Sequence, residues 1–566
     1  MRKFVFSCLS VMIIFTSTVS AQYKPKNLSK ADLRKAQDWV NQTYNSLSQE
    51  EKLGQLFIVA LYTNKGDDHI NQVRNIVLND KIGGLILMQD DAAKEITLVN
   101  EFQQKSKVPL MIGMDAEWGL YQRIAKAHKF PWAMTLGAIQ DKELIYEMAA
   151  KIAEGCKRMG INWDFAPVVD VNTNPNNPII GNRSFGSEVS NVTKSALSYA
   201  NGLQDHHILA AIKHFPGHGD TSTDSHLDLP VVSHDLDRLN KVELAPFKSL
   251  MNKGIGGVMV AHLYVPSLEP EKGIPASVSK KIITGLLKEK LDYKGLIITD
   301  ALNMGAVANK YKPGELDALA FKAGNDIMLF SQGVAEGKKL IQKAIDIGEI
   351  SQNRVEESVK KILLTKYFLG LNEYIPRNPE NINHDLNNDF HKKLVQNLYS
   401  NALTLLKDEK KLLPLKHENT YYYIPLEEAP YQTFADRLNV NSNIIIKKAS
   451  EISSIPANST VIVGFHKDNS TAYKPYKISA ESKKLLTQLE KNQNVILNVF
   501  GSAYALKDIN LSKTSTVLVS YENNEDSMNA TADALNGKTK ISGRLPVLVN
   551  ESLKAGMGMD LKSCSK

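Results

Sequence analysis

Eight short apolar runs, separated by stretches with helical periodicity, dominate the chain from about residue 25 to residue 375. They lie at 55–60, 84–88, 110–114, 161–165, 209–212, 257–261, 296–299 and 326–330. Short strands of nearly continuous apolar residues are typical of a parallel sheet that helices cover on both faces. Residues 142–153, between two of the runs, repeat apolar side chains every three to four positions, as an amphipathic helix does. Eight such units in one domain predict a (β/α)8 barrel of the TIM type.

The start of the barrel allows two interpretations. Ser48 and Glu51 precede the first apolar run, and this spacing is typical of a helix N-terminus. The first run is therefore either the first strand or the continuation of a helix.

A second domain follows the barrel. Residues 372–388 are rich in Asn, Pro and Asp, a composition typical of a linker. Beyond this stretch, apolar runs resume at 403–406, 460–464, 495–500, 516–520 and 545–549. These runs indicate a smaller α/β layer domain. We expect the barrel to span 22–375, the linker 376–395 and the second domain 396–566.

The first 21 residues have the layout of a secretory signal peptide. Arg2 and Lys3 precede an apolar run at 4–15, and small residues at 19–21 precede Gln22. The alternative is a membrane anchor, which needs about 20 apolar residues to span a bilayer. The run is shorter than that. We therefore predict export to the periplasm or the extracellular space, with no integral membrane segment after cleavage.

Charge and cysteine content exclude two other classes of protein. The net charge of +7 is spread along the 566 residues. A nucleic-acid-binding protein would concentrate basic residues with interleaved aromatics, so we expect no nucleic-acid partner. Three cysteines are too few for a disulfide scaffold. Cys8 leaves with the signal peptide, and we predict that Cys156 and Cys564 are free thiols.

Ionisable residues follow five of the predicted strands. They are Asp115 and Glu117, Asp164 and Asp170, Lys213 and His214, His262, and Asp300. A barrel carries its active site at the C-terminal ends of its strands, and a buried charge is costly unless it is paired or used. A salt bridge across the barrel mouth would explain any one of these residues. Five strands that end in this way favour an active site.

The loop after the fifth run has the composition of a proton-transfer site. Asp224 and His226 are two residues apart, so in an extended chain they project to the same side. The carboxylate can hold one imidazole nitrogen and leave the other for proton transfer. One alternative is a polar surface loop that happens to contain histidines. The other is a metal site that uses His214, His218, Asp220 and His226.

Asp300 also has two interpretations from the residues alone. It directly follows the seventh apolar run, opposite the histidine loop, where a carboxylate is well placed for in-line attack. Aspartate is equally favoured as the N-cap of a helix.

At these residues the sequence resembles glycoside hydrolase family 3, and within it the β-N-acetylglucosaminidase branch. The resemblance covers nearly the whole mature chain. The most specific segments run from Lys213 to His226 and over 181–186. The stretches at 402–408 and 412–415 match the family's αβα sandwich domain. In the segment 116–121, this chain departs from the more glycine- and arginine-rich version usual in the branch.

The resemblance implies a role for each candidate residue. It makes Asp300 the nucleophile, His226 the acid/base and Asp224 the carboxylate that supports it. The implied sugar-binding residues are Asp115, Arg123, Arg183, Lys213 and His214. The implied activity is that of a retaining exo-β-N-acetylglucosaminidase, which needs no cofactor or metal. Its carbohydrate substrate would be a glycan that contains N-acetylglucosamine, derived from peptidoglycan or chitin.

Three other functions remain open at this point. A β-glucosidase of the same family takes its acid/base carboxylate from elsewhere and lacks the pair formed by Asp224 and His226. A phosphorylase would use phosphate in place of water, and a histidine acid/base carries no negative charge that repels phosphate. A non-catalytic glycan-binding protein is the third alternative, although every implied catalytic position holds a competent residue.

Overall fold

The computed structural model describes residues 22–224, 228–471 and 474–564. The predicted signal peptide at 1–21 and the predicted acid/base His226 lie outside the described residues, so both stay predictions. Within the described ranges, no helix has both the length and the apolar character needed to cross a bilayer. Cys156 is buried and Cys564 is exposed, and both are free thiols as predicted.

Eight parallel strands form the first domain. They are β1 (Phe57–Leu61), β2 (Gly84–Leu87), β3 (Met111–Met114), β4 (Trp163–Asp164), β5 (Leu209–Phe215), β6 (Gly257–Val260), β7 (Leu296–Thr299) and β8 (Met328–Leu329). The sheet order is β7-β6-β5-β4-β3-β2-β1-β8. A parallel bridge between Ile298 and Ile327 connects β7 to the segment that enters β8. The sheet therefore closes on itself, and the predicted (β/α)8 barrel is confirmed.

Helices connect the strands of the barrel, and the longer ones cover its outer face. They are α1 (Lys30–Ser46), α2 (Gln49–Gly54), α3 (Gly66–Asp80), α4 (Ala92–Lys105), α5 (Ala133–Gly137), α6 (Glu143–Met159), α7 (Val189–Gln204), α8 (Leu236–Lys241), α9 (Leu244–Met251), α10 (Gly305–Ala308), α11 (Glu315–Ala323), α12 (Val334–Asp346) and α13 (Gln352–Phe368). The helix predicted at 142–153 is α6, which buries its apolar stripe.

Both interpretations of the barrel start are partly right. Ser48 and Glu51 form a capping box that begins α2, and this helix ends at Gly54. β1 then starts at Phe57 with every side chain buried. The helix start signal and the apolar run therefore belong to two consecutive elements.

The second domain is built on a six-stranded sheet. Its elements are α14 (Ile382–Asp385), α15 (Asp389–Ala402), β9 (Thr404–Asp408), β10 (Thr420–Leu426), α16 (Gln432–Asn439), β11 (Asn443–Ile446), β12 (Thr460–His466), α17 (Ala480–Leu489), β13 (Asn494–Phe500), β14 (Thr516–Val519) and α18 (Glu525–Leu535). The order is β11-β10-β12-β13-β14-β9, and only β9 runs antiparallel to its neighbour among these strands. Part of the expected linker is helical, because it contains α14 and the first turns of α15.

The prediction of a strand at 545–549 is wrong, and two strands of this domain were not predicted. Residues 545–549 are described and form no strand. This segment lies against the barrel, where the Pro546 carbonyl accepts the Ser187 N–H at 3.0 Å. The apolar run reflects burial between the domains. β10 and β11 were missed because Tyr-rich and half-exposed strands give a weaker apolar signal.

Candidate functional site

A cavity of about 680 Å³ opens at the C-terminal ends of the barrel strands. Six of the eight predicted site residues line it: Asp115, Arg123, Arg183, Lys213, His214 and Asp300. They come from the ends of β3, β5 and β7 and from the connections between β3 and β5. Parallel strands in a closed barrel bring these distant segments to one mouth.

Lys213 is the centre of the charged cluster on the cavity wall. Its Nζ lies 2.8 Å from Asp115 Oδ1 and 2.8 Å from Glu117 Oε1, and its side chain is 2% exposed. Burial by itself would lower the pKa of Lys213, but the two carboxylates raise it above its usual value. Asp115 also pairs with Arg123. Burial favours its neutral form, yet Lys213 and Arg123 hold its pKa well below the usual range.

Glu117 completes this cluster, although the sequence placed it only among the ionisable residues at the strand ends and gave it no role in the site. Its oxygens accept Arg183 Nε–H at 2.8 Å and Nη2–H at 2.6 Å, a two-pronged pairing. Burial would raise the pKa of Glu117, but Arg183 and Lys213 lower it to about 2. The available signal was its place two residues after Asp115, which puts both side chains on one side of an extended segment.

His214 is held by a buried carboxylate. Its Nδ1–H donates to Asp170 Oδ2 at 2.7 Å, and its Nε2 faces Arg183 Nη2 at 3.3 Å. Asp170 also accepts the backbone N–H groups of His214 and His218. Burial would raise the pKa of Asp170, but His214 and His218 lower it. This arrangement fixes the ring of His214 with one edge toward the cavity.

Asp300 follows β7 and is fixed by its backbone. Its N–H donates to the Val260 carbonyl at 2.8 Å, and its carboxylate accepts the Ala301 N–H at 2.8 Å. Desolvation would raise its pKa, but His214 and His262 lower it below the usual value. Asp300 is therefore ionised near neutral pH, as a nucleophile requires. The N-cap interpretation is wrong, because α10 begins at Gly305 with Met304 as its N-cap.

Asp224 is described, but its predicted partner is not. It lies half-buried on the loop after β5, where its carbonyl accepts the Asp228 N–H at 3.0 Å. The described residues that line the cavity do not include Asp224. The predicted pairing of Asp224 with His226 stays a prediction.

The alternative of a metal site would use His226, which lies outside the described residues, so this alternative stays untested. No group of three or more His, Cys, Asp and Glu side chains in the described ranges is arranged to hold an ion. His218 Nδ1 lies 2.7 Å from Thr221 Oγ1, and His234 Nε2 lies 2.6 Å from Asp220 Oδ2. Burial lowers the pKa of His218 to about 4, so this ring is neutral near pH 7.

Comparison with known proteins finds a matching family model and several relatives. The model of the Glycosyl hydrolase family 3 N terminal domain matches residues 48–365. A beta-hexosaminidase A of Pseudoalteromonas piscicida is 34% identical over 380 residues, which cover 61% of this chain. The match spans 62% of that relative, less than two thirds of its length.

Two further proteins are similar over a larger part of their length and of this chain. A beta-N-acetylglucosaminidase/beta-glucosidase of Cellulomonas fimi is 28% identical over 67% of this chain and 68% of its own. The structure of a family 3 beta-N-acetylglucosaminidase from Paenibacillus sp. str. FPU-7 has a TM-score of 0.73 and 28% identity. It covers 89% of this chain and 99% of its own. Because the family model matches more than half of the chain and falls on the barrel that carries the cavity, this chain belongs to glycoside hydrolase family 3.

Proposed function

We propose that this chain is a retaining exo-β-N-acetylglucosaminidase. It releases terminal β-linked N-acetylglucosamine from glycans derived from peptidoglycan or chitin. The observation that carries the proposal is the cavity at the barrel mouth, where the ionised Asp300 faces the charged cluster around Lys213. The name of the Paenibacillus relative, a beta-N-acetylglucosaminidase, supports the choice of sugar, and the name of the Pseudoalteromonas relative, a beta-hexosaminidase, agrees with it.

In the first step, Asp300 attacks the anomeric carbon of the bound sugar. The bond to the leaving oxygen breaks, and His226 gives that oxygen a proton. The product is a covalent glycosyl-enzyme, formed through an oxocarbenium-like transition state. Retaining glycosidases commonly use two carboxylates, so a histidine takes the place of one of them here.

In the second step, His226 acts as the base. It takes a proton from water, and the hydroxyl oxygen attacks the anomeric carbon from the face that the first leaving group occupied. Asp300 leaves as a carboxylate. Two inversions restore the original configuration, and Asp224 would hold the imidazole through both steps by accepting from its other nitrogen.

The charged cluster supplies the contacts that hold the terminal sugar. Asp115 offers carboxylate lone pairs to sugar hydroxyls, while Lys213, Arg123 and Arg183 offer N–H donors. Because these groups are already paired with one another, they need little reorganisation when the sugar binds. His214 presents its Nε2 edge from a ring that Asp170 keeps in place.

The test compares 4-nitrophenyl β-N-acetylglucosaminide with the matching β-glucoside. We expect kcat/KM to favour the acetamido sugar strongly, and His226→Ala to slow its hydrolysis by about 10²- to 10⁴-fold. His384→Ala is the matched control, because that side chain is 84% exposed on the surface. It should hydrolyse the substrate at the wild-type rate.

Three results would point to another function. A preference for the glucoside, or a His226→Ala variant as fast as the control, would favour a β-glucosidase with its acid/base elsewhere. Release of sugar phosphate in phosphate buffer would identify a phosphorylase. Binding of both glycosides without turnover would indicate a glycan-binding protein.

A further inference from the structure

Aromatic side chains form one part of the cavity wall that the proposed mechanism does not use. Trp118, Tyr121 and Trp132 all line the cavity. The rings of Trp118 and Trp132 pack together, with centroids 4.2 Å apart and planes inclined by 53°. Trp132 is 2% exposed, whereas Trp118 is half-buried and Tyr121 is 39% exposed. Trp118 is therefore an aromatic surface within the cavity that Trp132 supports from behind.

The loop that carries Trp118 is tightly held. The Phe130 N–H donates to the Trp118 carbonyl at 3.2 Å. Gly119 has φ +82, and a Cβ there would lie 2.7 Å from the ring of Phe130. Only glycine combines that backbone conformation with this close approach. The position of Trp118 is thus determined by the fold of its own loop as well as by Trp132.

The second domain holds this wall through one buried carboxylate. Glu522, whose side chain is 1% exposed, accepts the Trp132 backbone N–H at 2.8 Å and the Thr135 hydroxyl at 2.8 Å. Lys129 Nζ lies 3.2 Å from Glu522 and 4.6 Å from the centre of the Trp132 ring. Because Glu522 lies about 390 positions further along the chain, these bonds connect the domains directly behind the aromatic wall.

We propose that Trp118, supported by Trp132, binds the sugar ring on the leaving-group side of the cleaved bond. We further propose that Glu522 is a positioning residue through which the second domain fixes this surface. The inference rests on the proposed exo-glycosidase function. An exo-acting enzyme holds the terminal sugar at the closed end of its cavity, so the leaving group extends toward the mouth.

The two ends of the cavity differ in how far their side chains are exposed to solvent. The charged cluster lies deep, with Lys213 2% exposed, whereas Trp118 and Tyr121 reach toward solvent. A pyranose presents an apolar face of C–H groups, which packs well on an aromatic ring. The cavity of about 680 Å³ also leaves room beyond a single sugar ring. These observations together place a second ring against Trp118.

The experiment uses two substrates that share the terminal sugar and differ in the leaving group. N,N′-diacetylchitobiose loses a second sugar, whereas N-acetyl-β-glucosaminyl azide loses a small ion. We expect Trp118→Ala to lower kcat/KM for the disaccharide about tenfold more than for the azide. Trp118→Phe keeps an aromatic ring at this position, so it should restore most of the kcat/KM for the disaccharide. Trp39→Ala, which removes a half-buried tryptophan beside Tyr367 on the outer helices, should change neither substrate.

Glu522→Gln tests the positioning role in the same assay. The amide oxygen still accepts from Trp132 and Thr135, but the charge that pairs with Lys129 is lost. We expect KM for the disaccharide to rise about threefold relative to KM for the azide, with the kcat ratio unchanged. Glu409→Gln, at a 69% exposed site of the same domain, is the matched control. It should leave the KM ratio and the kcat ratio between the two substrates unchanged.

The outcomes separate this inference from the function on which it rests. If the wild-type enzyme cleaves neither substrate, the proposed function fails and the inference falls with it. If it cleaves both, and Trp118→Ala lowers the two kcat/KM values equally or not at all, only the Trp118 inference is overturned. A Glu522→Gln variant that leaves the KM ratio unchanged overturns the positioning role alone.

Discussion

Glu117 compensates two buried positive charges in the cavity wall. It is the shared partner of Arg183 and Lys213, which are both buried. Breaking a buried ion pair by removing one partner costs about 3–5 kcal/mol, because the remaining charge has no compensation. An ion pair at the surface contributes about 0–1 kcal/mol. The loss of an ion pair therefore destabilises the protein more when the pair is buried than when it lies at the surface.

We expect Glu117→Gln to lower the melting temperature clearly more than Glu101→Gln does. Glu101 makes a similar two-pronged pair with Arg74, at 2.6 and 3.0 Å, but its side chain is 27% exposed. Thermal unfolding of both variants at pH 7 measures the difference. Equal losses would mean that burial adds nothing to the Glu117 pair.

The pH dependence of the Glu117 contribution follows from its pKa. The folded-state value of about 2 lies below the ordinary value of 4.5. The stabilisation is therefore fully present above pH 4.5 and is lost as the pH falls toward 2. At pH 7 the comparison of Glu117→Gln with the wild type thus measures the whole effect.

Asp164 is a second buried carboxyl, and its pKa moves in the opposite direction. It is fully buried behind the charged cluster, and burial raises its pKa from 3.8 to about 7. The folded state therefore holds a proton that the unfolded state releases between pH 4 and 7. Stability falls as the pH rises through this window, and the full penalty is present above pH 7.

Asp164→Asn should remove this penalty, because an amide stays neutral at every pH. We expect its melting temperature, measured relative to the wild type, to be higher at pH 8 than at pH 5. Asp237→Asn, at an 85% exposed site, provides the control and should show the same difference at both pH values. A pH-independent effect of Asp164→Asn would show that Asp164 is already ionised in the folded protein at pH 5.

At the scale of elements, the two ends of the barrel use charge for different purposes. Asp326 lies fully buried just before β8, where it accepts the Ile297 N–H at 3.0 Å and Lys361 Nζ–H at 2.9 Å. Lys361 belongs to α13, so this network joins the last helix to the seam between β7 and β8. It stabilises the closure of the barrel at the end opposite the cavity, where charge has a structural role.

The elements that carry the site follow the predicted strands closely, within about two residues at most ends. This agreement has a physical reason. A parallel barrel strand is buried on both faces, so it appears in the sequence as a continuous apolar run. The polar residue that ends the run then marks the barrel mouth. β8 is the weakest case, since Asp326 begins the predicted run but belongs to the closure network instead of the strand.

At the scale of the whole molecule, a contact between backbones holds the second domain on the barrel. Gly186 has φ +145, and a Cβ there would lie 2.2 Å from the Pro546 carbonyl oxygen. The neighbouring Ser187 donates its N–H to the same carbonyl and accepts the Leu548 N–H at 2.9 Å through its hydroxyl. Added bulk at Gly186 would separate the two domains.

We expect Gly186→Ala to lower the melting temperature several times more than Gly273→Ala. Both glycines have positive φ, but a Cβ at Gly273 would meet nothing within 4 Å. Gly273→Ala therefore costs only the backbone strain, about 1–2 kcal/mol. Thermal unfolding of the two variants measures the combined cost of the domain contact and of the more extended backbone at Gly186. Similar losses would mean that the interface adapts to the extra methyl group.

The amino-acid sequence alone is enough to predict the barrel and the ionisable residues at its mouth. Burial on both faces of a strand and the period of a helix are local properties, and parallel strands bring their C-terminal ends together. Arg123 and Arg183 were predicted from the family resemblance, but the other four site residues that line the cavity lie at the ends of three of these strands and therefore meet at one mouth. These features need no knowledge of how distant loops pack.

The pairing of these residues, and the side chains that surround them, depend on contacts between segments that are far apart in the chain. Glu117 meets Arg183 across 66 positions, and Glu522 reaches Trp132 across 390. The run at 545–549, expected as a strand, is instead buried against the barrel at Gly186. Such contacts depend on the shapes of loops and domains that no local pattern encodes, because their energy arises only when both partners are already folded.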